Sequence, residues 1–502
     1  MNNLIDKSIK IKLSLYGLVS ALSFVYLILP VIPGISVPIF IALQFISIYF
    51  VIKDRPEIEN KYGILVMIPI FILSLNRYIS GSELWRTTNF FTILLLYSIM
   101  ILIIGNKLDL KKDSFAFVIK VAAKVFEPFI NFVIPIKWYA SSEGKNTKKL
   151  IIRRVLIGLL ISIPCVLFLL VMLSSADMIF SGKINSIFKW ISNVINFVYI
   201  IKLLYGIFVG LYLFGLLYTI FDDNTIIKKF SDLTHNNDMD LKKCADLIVF
   251  NILLFSILIV YSFFIIIQFK YLFSGAELPY GLNYSDYARR GFFELLFLSV
   301  LNIGLILVTV YFLREKIYVD KSKWAKVTKI FMIYLGLLTL VMLISSFYRM
   351  MLYDNEYGYT RLRVLVYLFL IFESIGLIIT FKFILKPNFN IFIVYVSIGL
   401  IYYLTLNVIQ IDNVIAKRNI DMYFNGQTET IDIDYLMSLS IDAVPEIIRL
   451  SNSDGVDVLT KYKARTYLKN IDILYKNMEL TWQSNNLSIN RAIDLIEKSK
   501  LN

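Results

Sequence analysis

Histidine and cysteine are almost missing from this chain of 502 residues, which holds one histidine and two cysteines. A lone His235 excludes a histidine-based zinc site and an HExxH helix, and it reads as a solvated loop residue. Cys165 and Cys244 cannot form a disulfide framework; both fall in or beside apolar runs, where cysteine behaves as a small hydrophobe. No GxSxG or CxxC occurs, and SGK at 181–183 lacks the upstream glycine and the following Ser/Thr of a phosphate-binding loop. A cleavable leader is not expected either, because 13–32 is long enough to stay as a helix and runs into Pro30, Pro33 and Gly34, a turn and not a small-residue cleavage site. No catalytic residue, metal site or cofactor is expected from these absences.

What the chain has in quantity is long apolar runs. Hydrophobic residues make up 58% and aromatic residues 15%, with a mean hydropathy of +0.70, beyond what a soluble chain of this length carries. Runs of about 18 or more apolar residues cross a hydrocarbon core of ~30 Å at 1.5 Å per helical residue. They are read at 13–32, 35–52, 62–76, 88–105, 155–176, 203–221, 247–269, 291–313, 330–347, 364–381 and 391–411. The fold class is therefore all-α, a polytopic transmembrane bundle of about eleven spans with a small C-terminal helical domain.

Alternate loops differ in Lys and Arg, and the positive-inside rule turns that difference into an orientation. One set holds Lys7, Lys10, Lys12, Lys53, Arg55, the basic segment ending in Arg153 and Arg154, and the cluster from Arg314 to Lys329; the other set is sparse. The N-terminus is expected in the cytoplasm and the C-terminus outside. Four regions follow: a membrane segment at 1–105, a basic cytoplasmic loop at 106–154, the main membrane domain at 155–411 and an extracytoplasmic helical domain at 412–502. Within the loop, Lys120, Lys124 and Glu127 recur at helical spacing among Phe115, Phe117, Val121 and Phe126, which reads as an amphipathic helix lying on the cytoplasmic leaflet. Residues 183–195 read as a smaller counterpart on the outer face.

The net charge of +14 belongs to the membrane half, since the segment from residue 412 has eleven Lys/Arg against thirteen Asp/Glu. The basic balance thus points to topology and anionic lipid, with the bilayer as partner and no nucleic acid; a protein partner is left unidentified. In the tail, Asp442 is placed to cap a helix whose first turn tolerates Pro445, and Ile447, Ile448 and Leu450 give it an apolar face.

Five segments carry more than loop filler: SSADMIF at 174–180, QFKYLF at 268–273, NYSDYARRGFFEL at 283–295, YRMMLYDNEYGYTRLRV at 348–364, and NVIAKRN with IDIDYLMSLSIDAVP between 413 and 445. The YARRGFFEL, R-x-x-x-Y…YGYTRLR and DYLMSLSIDAVP elements, in that order, resemble a bacterial multi-pass membrane family known as domain of unknown function 4173, with its relative 4153. The resemblance covers roughly the second half of the chain. It implies architecture and no activity. Gly358-Tyr359-Thr360 stands where that family has Gly-Leu-Thr.

With the expected topology, Arg289, Arg290, Arg349, Arg361 and Arg363 gather at the outer surface with Tyr287, Tyr353, Tyr357 and Tyr359. Planar, permanently charged guanidinium groups flanked by tyrosines suit phosphate or carboxylate, so a small anionic or anionic-lipid ligand is one reading. The other is structural: Tyr belts and snorkelling Arg anchor helices, Glu294 is placed to pair with Arg290, and Asp354 or Glu356 can neutralise Arg361 or Arg363. Glu373 stands near the middle of an apolar span, where a carboxylate marks an ion pathway or is bonded to a polar neighbour such as Asn302 or Asn407. Three functions remain open: binding or moving a small anionic or lipid-like ligand, sensing or serving as an accessory subunit of a signalling or transport complex, and membrane-embedded transfer using Asp177 or Asp354.

Overall fold

Long apolar runs exclude water, so their backbone groups must pair internally, and helices result. The structure is a computed structural model that describes residues 6–29, 32–54, 61–108, 115–140, 197–221, 246–268, 292–319, 322–478 and 480–499, with scattered residues between 162 and 186. Every described element is helical, and nine described helices are long and apolar enough to span a membrane. Most of the span at 155–176 and most of the segment at 183–195 lie outside the described residues.

The first bundle contains α1 (Lys7–Leu27), α2 (Ser36–Ile52), α3 (Lys61–Ile79), α4 (Leu84–Ile104), α5 (Phe115–Asn131), α6 (Ile134–Ala140) and α7 (Phe197–Tyr218), which share one apolar core. Small residues set its tightest contact. A Cβ at Gly210 would lie 2.6 Å from the Gly17 carbonyl oxygen, so α1 and α7 pack backbone to backbone, as small residues permit in lipid. Buried polar pairs lock the same bundle: Tyr16 and Tyr97 hydroxyls are 2.8 Å apart, and Ser20 donates to Gln44 at 2.9 Å.

The amphipathic helix α5 buries charges that its sequence reading places at the surface. Lys124 is fully buried and Glu127 nearly so, 3.8 Å apart, while Phe126 and Ile130 are 68% and 64% exposed. The charges therefore face protein on the same side as the buried Phe117 and Val121, while Phe126 and Ile130 face out. The cause is its seat against α7, where Tyr212 donates to the Val125 carbonyl at 2.9 Å and Pro128 abuts Gly215. With lipid as solvent, charges separated by one helical turn gain by turning inward together.

The second bundle comprises α8 (Leu247–Gln268), α9 (Phe292–Tyr318), α10 (Lys323–Tyr357) and α11 (Arg361–Leu385), around two apolar clusters. At 35 residues α10 is about 50 Å long, so it outruns the hydrocarbon core. Between the bundles stands α12 (Ile391–Val408), whose Phe392, Leu400 and Tyr403 pack on the first and whose Tyr395 packs on the second.

The tail folds as α13 (Ile411–Phe424), the short α14 (Ile433–Met437), a 3-10 turn at Ile441–Ala443, α15 (Val444–Asn452), α16 (Val458–Lys476) and α17 (Leu487–Lys498). Its core of Ile415, Leu436, Ile447, Leu450, Ala464, Leu468 and Ala492 also takes in Trp85 from α4 and Leu406 from α12. Pro445 lies in the first turn of α15, where an amide hydrogen has no acceptor anyway. Asp442 does not cap that helix. Its carboxylate turns instead to the loop between α3 and α4.

Candidate functional site

The tail meets the membrane helices at the end of α1 remote from the N-terminus. There the Gly34 amide donates to the Gln483 carbonyl at 2.8 Å and the Ile35 amide to the Asn485 carbonyl at 2.9 Å. Gly34 and Gly81 are needed for this approach, since an added Cβ would overlap Asn485 at the first and Ile441 at the second. Asp442 accepts from the Ser80 hydroxyl at 2.6 Å, the Gly81 amide at 2.8 Å and the Ser488 hydroxyl. Asn486 donates to the carbonyl oxygens of Arg77 and Ser80, each at 2.9 Å. One carboxylate and one amide thus close the exposed end of α3.

A second attachment joins the tail to α11. Arg361 forms a two-pronged pair with Asp412, Nε to Oδ1 at 2.6 Å and Nη2 to Oδ2 at 2.8 Å, and Asp412 also accepts the Ser440 amide at 2.9 Å. Burial alone raises the Asp412 pKa, but the hydrogen bonds from Arg361 and Ser440 outweigh it and hold the carboxyl below the ordinary aspartate value. The Arg361 backbone amide donates to the Tyr435 hydroxyl at 2.9 Å. Beside it, Gly358 has φ +71°, a left-handed conformation that glycine adopts freely, and Asn419 brackets the next residue by accepting the Tyr359 amide at 2.7 Å and donating to its carbonyl at 2.9 Å.

Arg363 turns away from the tail. Its Nε lies 3.3 Å from the buried Asp354 carboxylate, its Nη1 donates to the Gly358 carbonyl, and its guanidinium stacks 4.2 Å from the Tyr353 ring centre. Arg349 is buried on α10, and Tyr357 ends that helix. Tyr287, Arg289 and Arg290 lie outside the described residues. The 434–445 segment touches Arg361 through the Tyr435 hydroxyl and the Ser438 carbonyl.

The two attachments border one shallow cleft of about 300 Å³ including its open mouth, lined by Ser80, Ser82, Trp85, Arg361, Asp412 and Asp442 among others. Most of that volume is open mouth; the enclosed part has room for about one water molecule, well short of a ligand site. It presents two carboxylates and one guanidinium, an arrangement suited to holding segments together more than to attracting an anion. Just beneath it, in the apolar region, Asn76 donates to the Asn407 carbonyl and Asn89 to the Asn407 side-chain oxygen, both at 2.7 Å, while Tyr403 donates to Asn89 at 2.6 Å. This buried clasp ties α3 and α4 to α12.

Glu373 lies apart from this junction, inside the second bundle. It receives a hydrogen bond from neither Asn302 nor Asn407; its neighbour is Ser299 on α9, 2.7 Å away. Asn302 contacts Met342, and Asn407 belongs to the clasp. Asp177 accepts the Phe180 amide at 2.8 Å, as a cap does. The clasp asparagines, Asp412 and Ser80 are site residues the sequence reading did not assemble. The signal available for the clasp was amide side chains inside otherwise apolar spans.

No curated protein and no solved structure matches the chain. The family match is to the 4153 group, the relative in the sequence resemblance, and it reaches well upstream of the motifs that suggested it. Since the matched region takes in most of the chain, from α3 through α15, the protein belongs to the family described as Domain of unknown function (DUF4153), matched over residues 65–450.

Proposed function

We propose that the protein is a membrane sensor or accessory subunit whose C-terminal domain couples two helical bundles from the extracytoplasmic side. Double attachment carries this reading: Asp412 holds Arg361 on the second bundle while Asp442 holds Ser80 and Gly81 on the first. A displacement of the tail, whether by a signal or by a partner, acts on both bundles at once. The side is supported by charge: the tail-side loops 28–35, 80–83, 358–360 and 409–410 carry no Lys or Arg and only Arg77, Arg86, Arg361 and Arg363 in the flanking turns, while Lys7, Lys10, Lys12, Lys53, Lys107, Arg314, Lys316 and Lys386 lie toward the other ends of the helices.

The anionic-ligand reading loses support at Arg361 and Arg363, whose charges are matched by Asp412 and Asp354. A sensor or accessory role needs a partner; a transporter does not. Full-length protein, cross-linked in native membranes and affinity-purified, is expected to bring down one membrane partner in stoichiometric amount, with the yield reduced at least several-fold by Asp412→Asn combined with Asp442→Asn. Substrate flux through the purified protein alone in liposomes, unchanged by those substitutions, would overturn the proposal.

A further inference from the structure

We propose that Glu373 is an exchangeable proton site at the middle of the membrane, with the Ser299 hydroxyl as its switch. The residue is the central one of α11, twelve positions from Arg361 and twelve from Leu385, hence about 18 Å from either end of the helix. It is 8% exposed. A carboxylate in such a place is costly unless its charge is cancelled.

The hydrogen bonds show how it is cancelled. Ser299 Oγ lies 2.7 Å from Glu373 Oε1 and also 2.7 Å from the Leu296 carbonyl oxygen. A hydroxyl has one hydrogen, and a carbonyl only accepts. Both contacts are satisfied together when Ser299 donates to Leu296 and accepts from a protonated Glu373. With the proton gone, the hydroxyl must rotate and donate to the carboxylate, releasing Leu296. The site thus has two hydrogen-bonded states that differ by one proton and one hydroxyl rotation.

The surroundings offer no other counter-charge among the described residues. On α12 the Tyr395 hydroxyl is 2.7 Å from Thr380, whose own hydrogen goes to the Gly376 carbonyl at 3.0 Å, so the tyrosine hydrogen is committed to Thr380. Helix α10 faces this region with Leu340 and Leu343. Formal charges on these helices stand toward the ends: Glu294, Arg314, Glu315 and Lys316 on α9, Lys323, Lys326, Lys329, Arg349, Asp354 and Glu356 on α10, Arg361, Arg363 and Lys382 on α11, none on α12. Glu373 Oε2 has no hydrogen-bond partner among the described residues. A proton is what this geometry accommodates.

Infrared spectroscopy of the full-length protein in lipid, with Glu373→Gln as the difference reference, reads the carboxylic C=O band directly. The band is expected at neutral pH, absent from Glu373→Gln, reversibly lost as pH rises, and displaced in its midpoint by Ser299→Ala. Glutamine keeps the hydrogen-bonding shape, so the reference folds; circular dichroism verifies it. Absence of any carboxylic difference band from about pH 5 to about pH 9 would show a permanently charged carboxylate and overturn the proposal. So would a band that persists unchanged over that range, which marks a fixed structural acid, or one abolished by sodium at constant pH, which places a metal ion at the site.

Discussion

Replacing Asp412 by Asn removes one charge from the Arg361 attachment and leaves its shape. The two Arg361 contacts at 2.6 and 2.8 Å are charge-assisted, a class that contributes about 1.5–3 kcal/mol each when fully buried. Here Asp412 is buried but the Arg361 side chain is 34% exposed, so the freed guanidinium rehydrates and the two contacts do not add. A loss of about 2–3 kcal/mol remains, equivalent to roughly a 30- to 150-fold rise in local opening at 1.4 kcal/mol per factor of ten. Hydrogen exchange at the amides of Ser440 and Arg361, both held in this attachment, reads the change. Acid adds a second readout. Because the folded Asp412 pKa lies below its unfolded value, its contribution is complete above about pH 4 and is lost as pH falls through the folded pKa; no dependence on this group is expected between about pH 5 and 8. Asp412→Asn removes that acid-side dependence. Exchange at both amides within about threefold of wild type would show that the pair contributes nothing to docking, and the reasoning would fail.

Other perturbations probe the remaining parts. Gly81→Ala drives a methyl into Ile441 and is expected to weaken tail docking by about 1–3 kcal/mol in protease-sensitivity measurements, whereas Gly399→Ala, with open space at its Cβ, leaves docking unchanged. Asn407→Ala strips Asn89 of its acceptor at the clasp while the backbone carbonyl still accepts from Asn76; a loss of about 1 kcal/mol in reversible unfolding in mixed micelles is expected, and no loss would demote the clasp to a passive contact. Single cysteines at positions 145, 235 and 322 are expected to resist a membrane-impermeant thiol reagent in intact cells while those at 282, 356 and 485 react; labelling at 145 with protection at 356 would reverse the orientation.

Span positions were legible because about 18 apolar residues in a row have few alternatives to a membrane helix. Glu373 was legible for the same reason: a single carboxylate stands out in an apolar run. Its partner was not, since Ser299 is one of many serines and only the pairing of α9 with α11 selects it. In α5, helical periodicity reports two faces without saying what each meets, and Lys124 buries against protein where water was expected. Asp442 carried a sound local signal for a cap. Tertiary contact with Ser80 and Gly81, more than three hundred residues upstream, overrode it. Asp354, which pairs with Arg363, appeared among the candidate counter-charges of the arginines. Asp412, which pairs with Arg361, lies in the tail, and no sequence spacing connects the two.

If the tail holds the two bundles in a fixed relation, the distance between them changes when the tail lets go. Spin labels at exposed, lipid-facing Leu15 on α1 and Ile378 on α11 of the full-length protein in lipid nanodiscs report that distance. A single narrow distribution in the wild type that broadens or shifts when Asp412→Asn and Asp442→Asn are combined is the expected result. An identical narrow distribution in both proteins would mean that α12 and the clasp set the relation without the tail, and would contradict the account.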